Sequence, residues 1–404
     1  MTLAIALLCP SVSQAQNSPW FRLGANAVPV YTFADPVPRG RSLGEIRLVQ
    51  PAVMAHGGVL QNQLRLLTTV NFEGLTIPDG ELTPGDWGEG FIDRRHPHTY
   101  VHEIMLSASQ PLGQVMISAA FGKGFAPFGT DDPMSRPVLR YPVNHHLAQI
   151  LERAVAIIGV RSGPFMAEAG FFNGDEPERP SQWPRVSRFG DSWSARVTVF
   201  PLTGLEFQAS HARVHSPEHR PGSGTDQKKW SVSGRWSGTL GTSPLYAMAE
   251  WARTSEAAGF FVFRSVLAEG AWTLGRSRIH YRFERTERPE EERTADLFRS
   301  VRPHLENAIL GTTRWSIHTA GYAFEPPALG AVKLAPFIEL SYGRMADVGG
   351  GLFNLQAFYE KTWLWSMSAG ARVTVGLPFH RMGRYGVAQD TAPSHAGAHH
   401  EQHD

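Results

Sequence analysis

The sequence predicts an all-β protein, a transmembrane antiparallel up-and-down β-barrel of about 14 strands with short periplasmic turns and long extracellular loops. Three observations predict it. Segments of alternating apolar and polar residues recur along the chain. The connections between them alternate in length. Charged side chains keep to the polar face of each segment.

The alternation is plainest in 191–215, DSWSARVTVFPLTGLEFQASHARVH. Trp193, Ala195, Val197 and Val199 share one parity, and Ser192, Ser194, Arg196 and Thr198 the other. After 201–204 the pattern resumes, with Leu205, Phe207 and Ala209 against Glu206, Gln208 and Ser210. A period of two with one apolar face is the signature of a strand. Such segments are read at 59–74, 99–110, 113–123, 153–161, 164–174, 189–200, 205–215, 228–239, 244–254, 261–274, 277–287, 308–324, 332–344 and 363–376. Their lengths centre near the ~9–11 residues a tilted strand needs to cross a bilayer.

The connections sort by length. Those at 75–98, 124–152, 175–188, 216–227, 288–307 and 345–362 are long. Those at 111–112, 162–163, 201–204, 240–243 and 275–276 are tight, 325–331 is modest, and 255–260 is a shorter member of the long set. Outer-membrane barrels alternate in this way, and an even strand count puts both ends of the barrel in the periplasm. Two soluble sandwiches would also alternate in hydropathy, but Greek-key connections do not sort by length at every second link.

Charge parity says which solvent meets each face. Arg196, Arg235, Arg282, Arg314 and Arg372 each oppose an apolar parity, such as Trp315 and Ile317 against Arg314. An arginine at the bilayer midplane costs roughly 2–4 kcal/mol, so the apolar face is expected to meet lipid and the polar face a watery lumen. Arg264 is the exception, sharing parity with Val266 and Trp272; either a bulge shifts the register there or it lies at the outer rim. Trp236, Trp251, Trp272 and Trp363 near strand ends suit interfacial girdles.

Composition agrees. Of 404 residues 42% are apolar, with 40 Gly and 11 Trp. A net charge of +1 argues against a nucleic-acid surface, so nucleic acid is not expected as a partner. No apolar run is long enough for a membrane helix. Residues 1–15 read as a signal peptide, with an apolar core and a small-x-small site ending at Ala15; the basic n-region is missing, which places the expected start upstream. The single cysteine, Cys9, leaves with it. Residues 16–58 then read as an N-terminal periplasmic segment, 59–376 as the barrel, and 377–404 as a His-rich tail. The run Ser368, Gly370, Val373, Val375 resembles the signal read by the barrel-assembly machinery, although the chain continues past it.

The expected pore-lining residues are Arg65, Glu103, Arg153, Arg161, Glu168, Arg196, Glu206, Arg235, Glu250, Arg282, Glu284, Arg314, Glu339 and Arg372. Basic residues slightly outnumber acidic ones over the whole polar face, which points to a mild anion preference. Loop 124–152 is long and carries Phe125, Phe128, Leu139, Tyr141, Leu147 and Ile150, which suit folding into the lumen. Asp131, Asp132, Arg136 and Arg140 would then form a constriction.

Seventeen histidines include His96, His98, His145 and His146, which could ligate Zn²⁺ or Cu²⁺ only if loops bring them together. His98 and His102 would share a strand face about 13 Å apart, too far for one ion. No resident cofactor is otherwise expected. Ser210 and His211 are adjacent, point to opposite faces of a strand, and cannot pair as nucleophile and base. No other Ser/His/acid spacing stands out, so the chain is not expected to be an enzyme, a lipid-modifying barrel being the least favoured class.

The motifs Met54-Ala-His56-Gly57, His96-Pro-His98, 124–127, Asn144-His-His146, 190–196, 214–218 and 364–375 resemble those of a group of uncharacterised bacterial outer-membrane β-barrel proteins often encoded near heavy-metal resistance genes. The resemblance covers most of 52–376 and departs at Leu147, where an aromatic residue usually follows the His pair. It implies an outer-membrane barrel and a link to metals. Together these readings favour a passive channel for small solutes or ions, in contact with outer-membrane lipid. The alternative is a non-conducting barrel that binds a metal ion or a partner through its His-bearing loops.

Overall fold

The computed structural model describes residues 21–37, 41–76, 98–139, 141–177, 179–217, 224–291, 309–349, 351, 353–376 and 381–389. Within them sixteen strands form one closed antiparallel barrel in which each strand pairs with its sequence neighbours and the last pairs with the first. The strands are β1 Phe21–Val37, β2 Arg41–Val59, β3 Leu64–Asn71, β4 Val101–Leu112, β5 Val115–Gly124, β6 Arg153–Ser162, β7 Phe165–Phe172, β8 Ser192–Leu202, β9 Leu205–Val214, β10 Gln227–Leu240, β11 Ser243–Glu256, β12 Phe261–Leu274, β13 Ser277–Glu291, β14 Ile309–Phe324, β15 Val332–Gly349 and β16 Trp363–Gly376. Three helices of four or five residues interrupt the long connections: α1 Glu73–Thr76, α2 His145–Ala148 and α3 Leu355–Tyr359.

The count of 14 is corrected to 16, because β1 and β2 occupy most of the stretch read as a periplasmic segment. The reason is visible in their packing. On β1 the inward residues include Val28 and Val30, which join Val49, Leu139 and Phe337 in an apolar cluster. Phe21, Leu23 and Tyr31 face outward. With both faces apolar, the alternation disappears. On β2 the register shifts opposite Asn26–Val28, where Gln50 adopts φ 52°, and the shift exchanges the parity of the two halves of the strand. The closed ring of sixteen is about 32 Å across its backbone if strands are spaced ~4.8 Å and tilted ~40°.

Tight turns close one end, and glycines occupy the positive-φ positions that such turns require, as at Gly113 (φ 63°) and Gly163 (φ 53°). Outward positions between the ends are apolar and open: Ile158 is 64% exposed, Phe121 60%, Val197 51% and Leu340 53%. A water-soluble surface does not carry a continuous belt of this kind. With no free edge and such a belt, the barrel has the form in which strands span an outer membrane. No helix among the described residues is long and apolar enough to cross one.

Two positions on β14 reverse the sequence reading. Trp315 and Ile317 are fully buried inside the barrel, and Arg314 lies on the outer face. The Trp315 indole donates to Thr313 at 3.0 Å and sits beneath the Arg288 guanidinium, 5.1 Å from its ring centre. Arg314 bonds Glu287 of the neighbouring strand at 2.7 Å. β12 is in register with β11 and β13 throughout, so Arg264 is a rim residue three positions from the outer end of its strand.

Candidate functional site: a lumen crossed twice

Inward-facing side chains make a charged wall. Opposed residues on adjacent strands pair across it, as expected for directly facing positions. Arg196 grips Glu168 through two bonds of 2.7 and 2.9 Å. Arg282 bonds Glu269 at 2.7 Å, and the Tyr246 hydroxyl donates to the same carboxylate at 2.7 Å. His280 bonds Glu339 at 2.8 Å, and Arg153 bonds Glu176 at 2.6 Å. Of the expected lining residues, Glu103, Arg153, Glu168, Arg196, Glu206, Arg235, Glu250, Arg282, Glu284 and Glu339 are buried within the ring. Arg65 and Arg161 lie near the tight-turn end, where Arg65 bonds Asn62 and Gln389 and Arg161 stacks on Phe200. Arg372 donates to the Arg136 carbonyl. Arg314 alone of this set is on the outer face.

These wall residues are covered because two segments cross the interior. The first is 125–151. Its apolar side chains Phe125, Phe128, Met134, Tyr141, Ile150 and Leu151 pack with Ala52, Leu67, Met105 and Val155 of the wall. A short 3-10 turn, Pro133–Ser135, is capped by the Asp132 carboxylate, which accepts from the Met134 amide at 2.8 Å. Backbone amides of the segment then reach far parts of the ring: Gly129 to Ser210 at 3.0 Å, Leu139 to Glu339 at 2.9 Å, and Val143 to Glu284 at 2.7 Å. Asn144 and Thr130 both donate to Glu250, at 2.8 and 2.6 Å.

The second is 381–389, beyond the last strand. Reading 377–404 as a tail outside the barrel is corrected for this part; 390–404 and its histidines lie outside the described residues. Met382, Arg384, Tyr385, Val387 and Ala388 are buried. Tyr385 donates to Glu103 at 2.8 Å and accepts from the Phe125 amide at 3.1 Å. The Val387 amide donates to Ser118 at 3.1 Å. Arg381 binds Glu206 with both terminal nitrogens, at 2.7 and 2.6 Å, and Asp131 through Nε at 2.7 Å.

Asp131 is the node where wall, loop and tail meet. Arg235 and Arg384 pair with it as well as Arg381. Burial would raise its carboxyl, but the three guanidiniums hold it well below the usual carboxylate range. The neighbouring Asp132 is pushed up by burial against the opposing charge of His102 and His98. Arg136 stacks its contacts on the loop itself, donating to the Asp131 carbonyl and to Thr130. Arg140 lies outside the described residues.

Near the outer end, histidines fasten the loop. His98 bonds Glu73 at 2.7 Å and His102 bonds Glu152 at 2.5 Å. Burial would lower the His98 imidazole, yet Glu73, Glu152 and Asp132 raise it to about 10. The His98 and His145 rings lie 5.7 Å apart, and His145 stands 3.9 Å from Asp132. His96 and the His146 side chain lie outside the described residues. Among the described residues no group of three or more His, Cys, Asp or Glu side chains is placed to hold a metal ion. Ser210 faces the loop and His211 stacks outside on Trp230 at 3.9 Å, so the two are on opposite faces of β9.

Sequence reasoning missed Arg381, Arg384 and Tyr385. Their one local signal is the stretch RMGRYG, dense in Arg, Gly and an aromatic, set between a strand and the His-rich end.

No protein-family model matches the chain, and no curated protein matches it. Solved structures do. The anion-selective porin from Comamonas acidovorans superposes with a TM-score of 0.52 at 10% identity, covering 88% of this chain and 99% of that one. OmpT of Vibrio cholerae in its trimer form gives 0.49 at 12% identity, with 88% and 98% covered. OccK2 (OpdF) of Pseudomonas aeruginosa in complex with glucuronate gives 0.42 at 10% identity, with 88% and 98% covered. The first of these likenesses supports the barrel fold.

Proposed function

We propose that the chain is an outer-membrane channel of porin type for small solutes, narrowed by loop 125–151 and stopped by segment 381–389. The observation that carries this reading is the chemistry of the two crossing segments. They are joined to each other and to the wall largely by ion pairs and polar bonds, centred on Asp131, Arg381 and Glu206. A permanent filling would gain more from apolar packing, since buried ion pairs contribute little net stability. Paired charges can exchange partners with water or with a charged solute. The hydroxyls of Ser194, Thr198 and Ser231 have no protein partner, as suits a hydrated wall. At the centre, Arg136, Arg196, Arg235, Arg381 and Arg384 face Asp131, Glu168, Glu206 and Glu250, an excess of one positive charge that favours small anions. This reading accounts for the site better than metal capture, because His98 is engaged by Glu73 and His145 faces Asp132.

Planar-bilayer recording tests it. The full chain is expected to give brief or small conductance steps, and a chain ending at residue 380 larger and steadier ones. Silence from both, with folding verified by heat-modifiable gel mobility, overturns the channel.

A further inference from the structure

The outer face of the barrel is not uniform. On β9 through β15, outward-facing cations lie near the long-loop end of every strand: Arg213, Lys228, Arg253, Arg264, Arg285, Arg314 and Arg344. They form a connected row. Arg213 stands opposite Lys228, and Arg253 opposite Arg264. Glu287 stands opposite Arg314, Arg285 opposite Ser316, and Ser316 opposite Arg344. The row is open to its surroundings, the side chains of Arg213 and Arg264 being 56% and 58% exposed. Its carboxylates are few. Glu287 lies between Arg314 at 2.7 Å and Arg264 at 3.5 Å, and Asp226 binds Arg213 at 2.8 Å.

The remaining strands differ. On β1 through β8, Lys123 is the one Lys or Arg at an outward register position among the described residues. It is buried, with its ammonium 5.5 Å from the Trp183 ring.

The level of the row is fixed by its neighbours. One outward position nearer the tight-turn end stand His211, Trp230, Trp251, Phe283 and Tyr342, on five of the seven strands. Aromatic side chains of this kind mark the membrane–water interface. A step of two residues along a strand is about 6.6 Å, so the cations sit at the depth of lipid headgroups on the long-loop side. Arginine offers planar paired donors that match phosphate. In an outer membrane the leaflet on that side is a glycolipid with phosphates on its sugar headgroup.

We propose that the outer face of β9–β15 docks the phosphorylated glycolipid of the outer leaflet, its phosphates lying on Arg253, Arg264, Arg285 and Arg314 and its acyl chains against the apolar belt below. Glu287 is the positioning residue, holding Arg264 and Arg314 on either side of a gap that one phosphate can bridge. The proposal needs the barrel to sit in an outer membrane; it does not depend on conduction.

The test uses purified full-length protein with lipid A as probe. Native mass spectrometry would count bound lipid for the wild type and for the triple variant Arg264→Gln, Arg285→Gln, Arg314→Gln. The wild type is expected to retain diphosphoryl lipid A, and the variant to bind it about tenfold or more weakly. Phosphate-free lipid A should bind as poorly to the wild type as diphosphoryl lipid A does to the variant. A triple Arg→Lys variant keeps the charge and separates loss of contact from loss of fold; it should bind at an intermediate level. Equal binding by wild type and Gln variant overturns the proposal. So does equal retention of phosphatidylglycerol, which would make the row a general anionic surface, or a second protein copy in place of lipid.

Discussion

Replacing Arg381 by alanine removes the contact that ties segment 381–389 to both the loop and the wall. Three bonds go: one to Asp131 at 2.7 Å and two to Glu206 at 2.7 and 2.6 Å. Asp131 keeps Arg235 and Arg384, so its charge stays compensated. Glu206 is left with Arg384 at 4.0 Å. Deleting one partner of a fully buried pair costs about 3–5 kcal/mol. Here one of two carboxylates stays neutralised and the Arg381 side chain is 12% exposed, which brings the figure to about 2–4 kcal/mol. Since 1.4 kcal/mol is tenfold, the docked-to-released ratio of the segment falls by roughly 30- to 1000-fold. Arg381→Ala should therefore raise open probability in planar bilayers and expose 381–389 to added protease, with the barrel still intact on gels. Arg381→Lys keeps the charge without the fork and should fall between. Wild-type conductance and wild-type protease resistance in Arg381→Ala would refute the reasoning, since the ion pairs would then not be what holds the segment.

Gly129 sits at φ 65°, and a Cβ there would come 1.6 Å from the Ala148 carbonyl oxygen. Gly129→Ala should destabilise the inward loop by about 2–4 kcal/mol, read as new protease cleavage within 125–151; an unchanged digest counts against the loop geometry. Ala249 faces outward at the middle of β11, so Ala249→Arg should cost roughly 2–4 kcal/mol and reduce the folded, heat-modifiable form. An unchanged denaturation midpoint would mean that this face does not meet hydrocarbon. The folded His98 imidazole, at about 10, lies above its ordinary 6.5. Its contribution is complete below pH 6.5 and is lost as pH rises towards 10. Tm of the wild type should fall more than that of His98→Gln over this range, and parallel curves would show that the Glu73 contact does not stabilise the loop.

What could be read from the sequence followed from hydrocarbon on one side of a strand and water on the other. β8, β10, β13 and β16 have a single apolar face, and their inward residues were assigned from parity alone. The reading failed where the inside is not watery. On β1, Val28 and Val30 pack against Leu139 of the inward loop, so polarity no longer separates the faces. On β14, Trp315 and Ile317 face a part of the interior where Met345, Phe353, Leu355 and Leu364 are also buried, and the parity rule placed Arg314 on the wrong side. The crossing segments are harder still. Arg381 acquires its role only from Asp131 and Glu206, 250 and 175 residues earlier in the chain, and no local pattern encodes such a meeting.

The ring is sewn shut by pairing of β16 with β1, and the stitch ends at Gly376 against Gly24. Everything that stoppers the bore from 381 onward is made after the last piece of wall. A polypeptide cut between 376 and 381 therefore retains every stave and loses its cork. Whether the vessel is sealed can thus be altered after it is built, by trimming a few residues on the periplasmic side, without disturbing a single hydrogen bond of the cylinder.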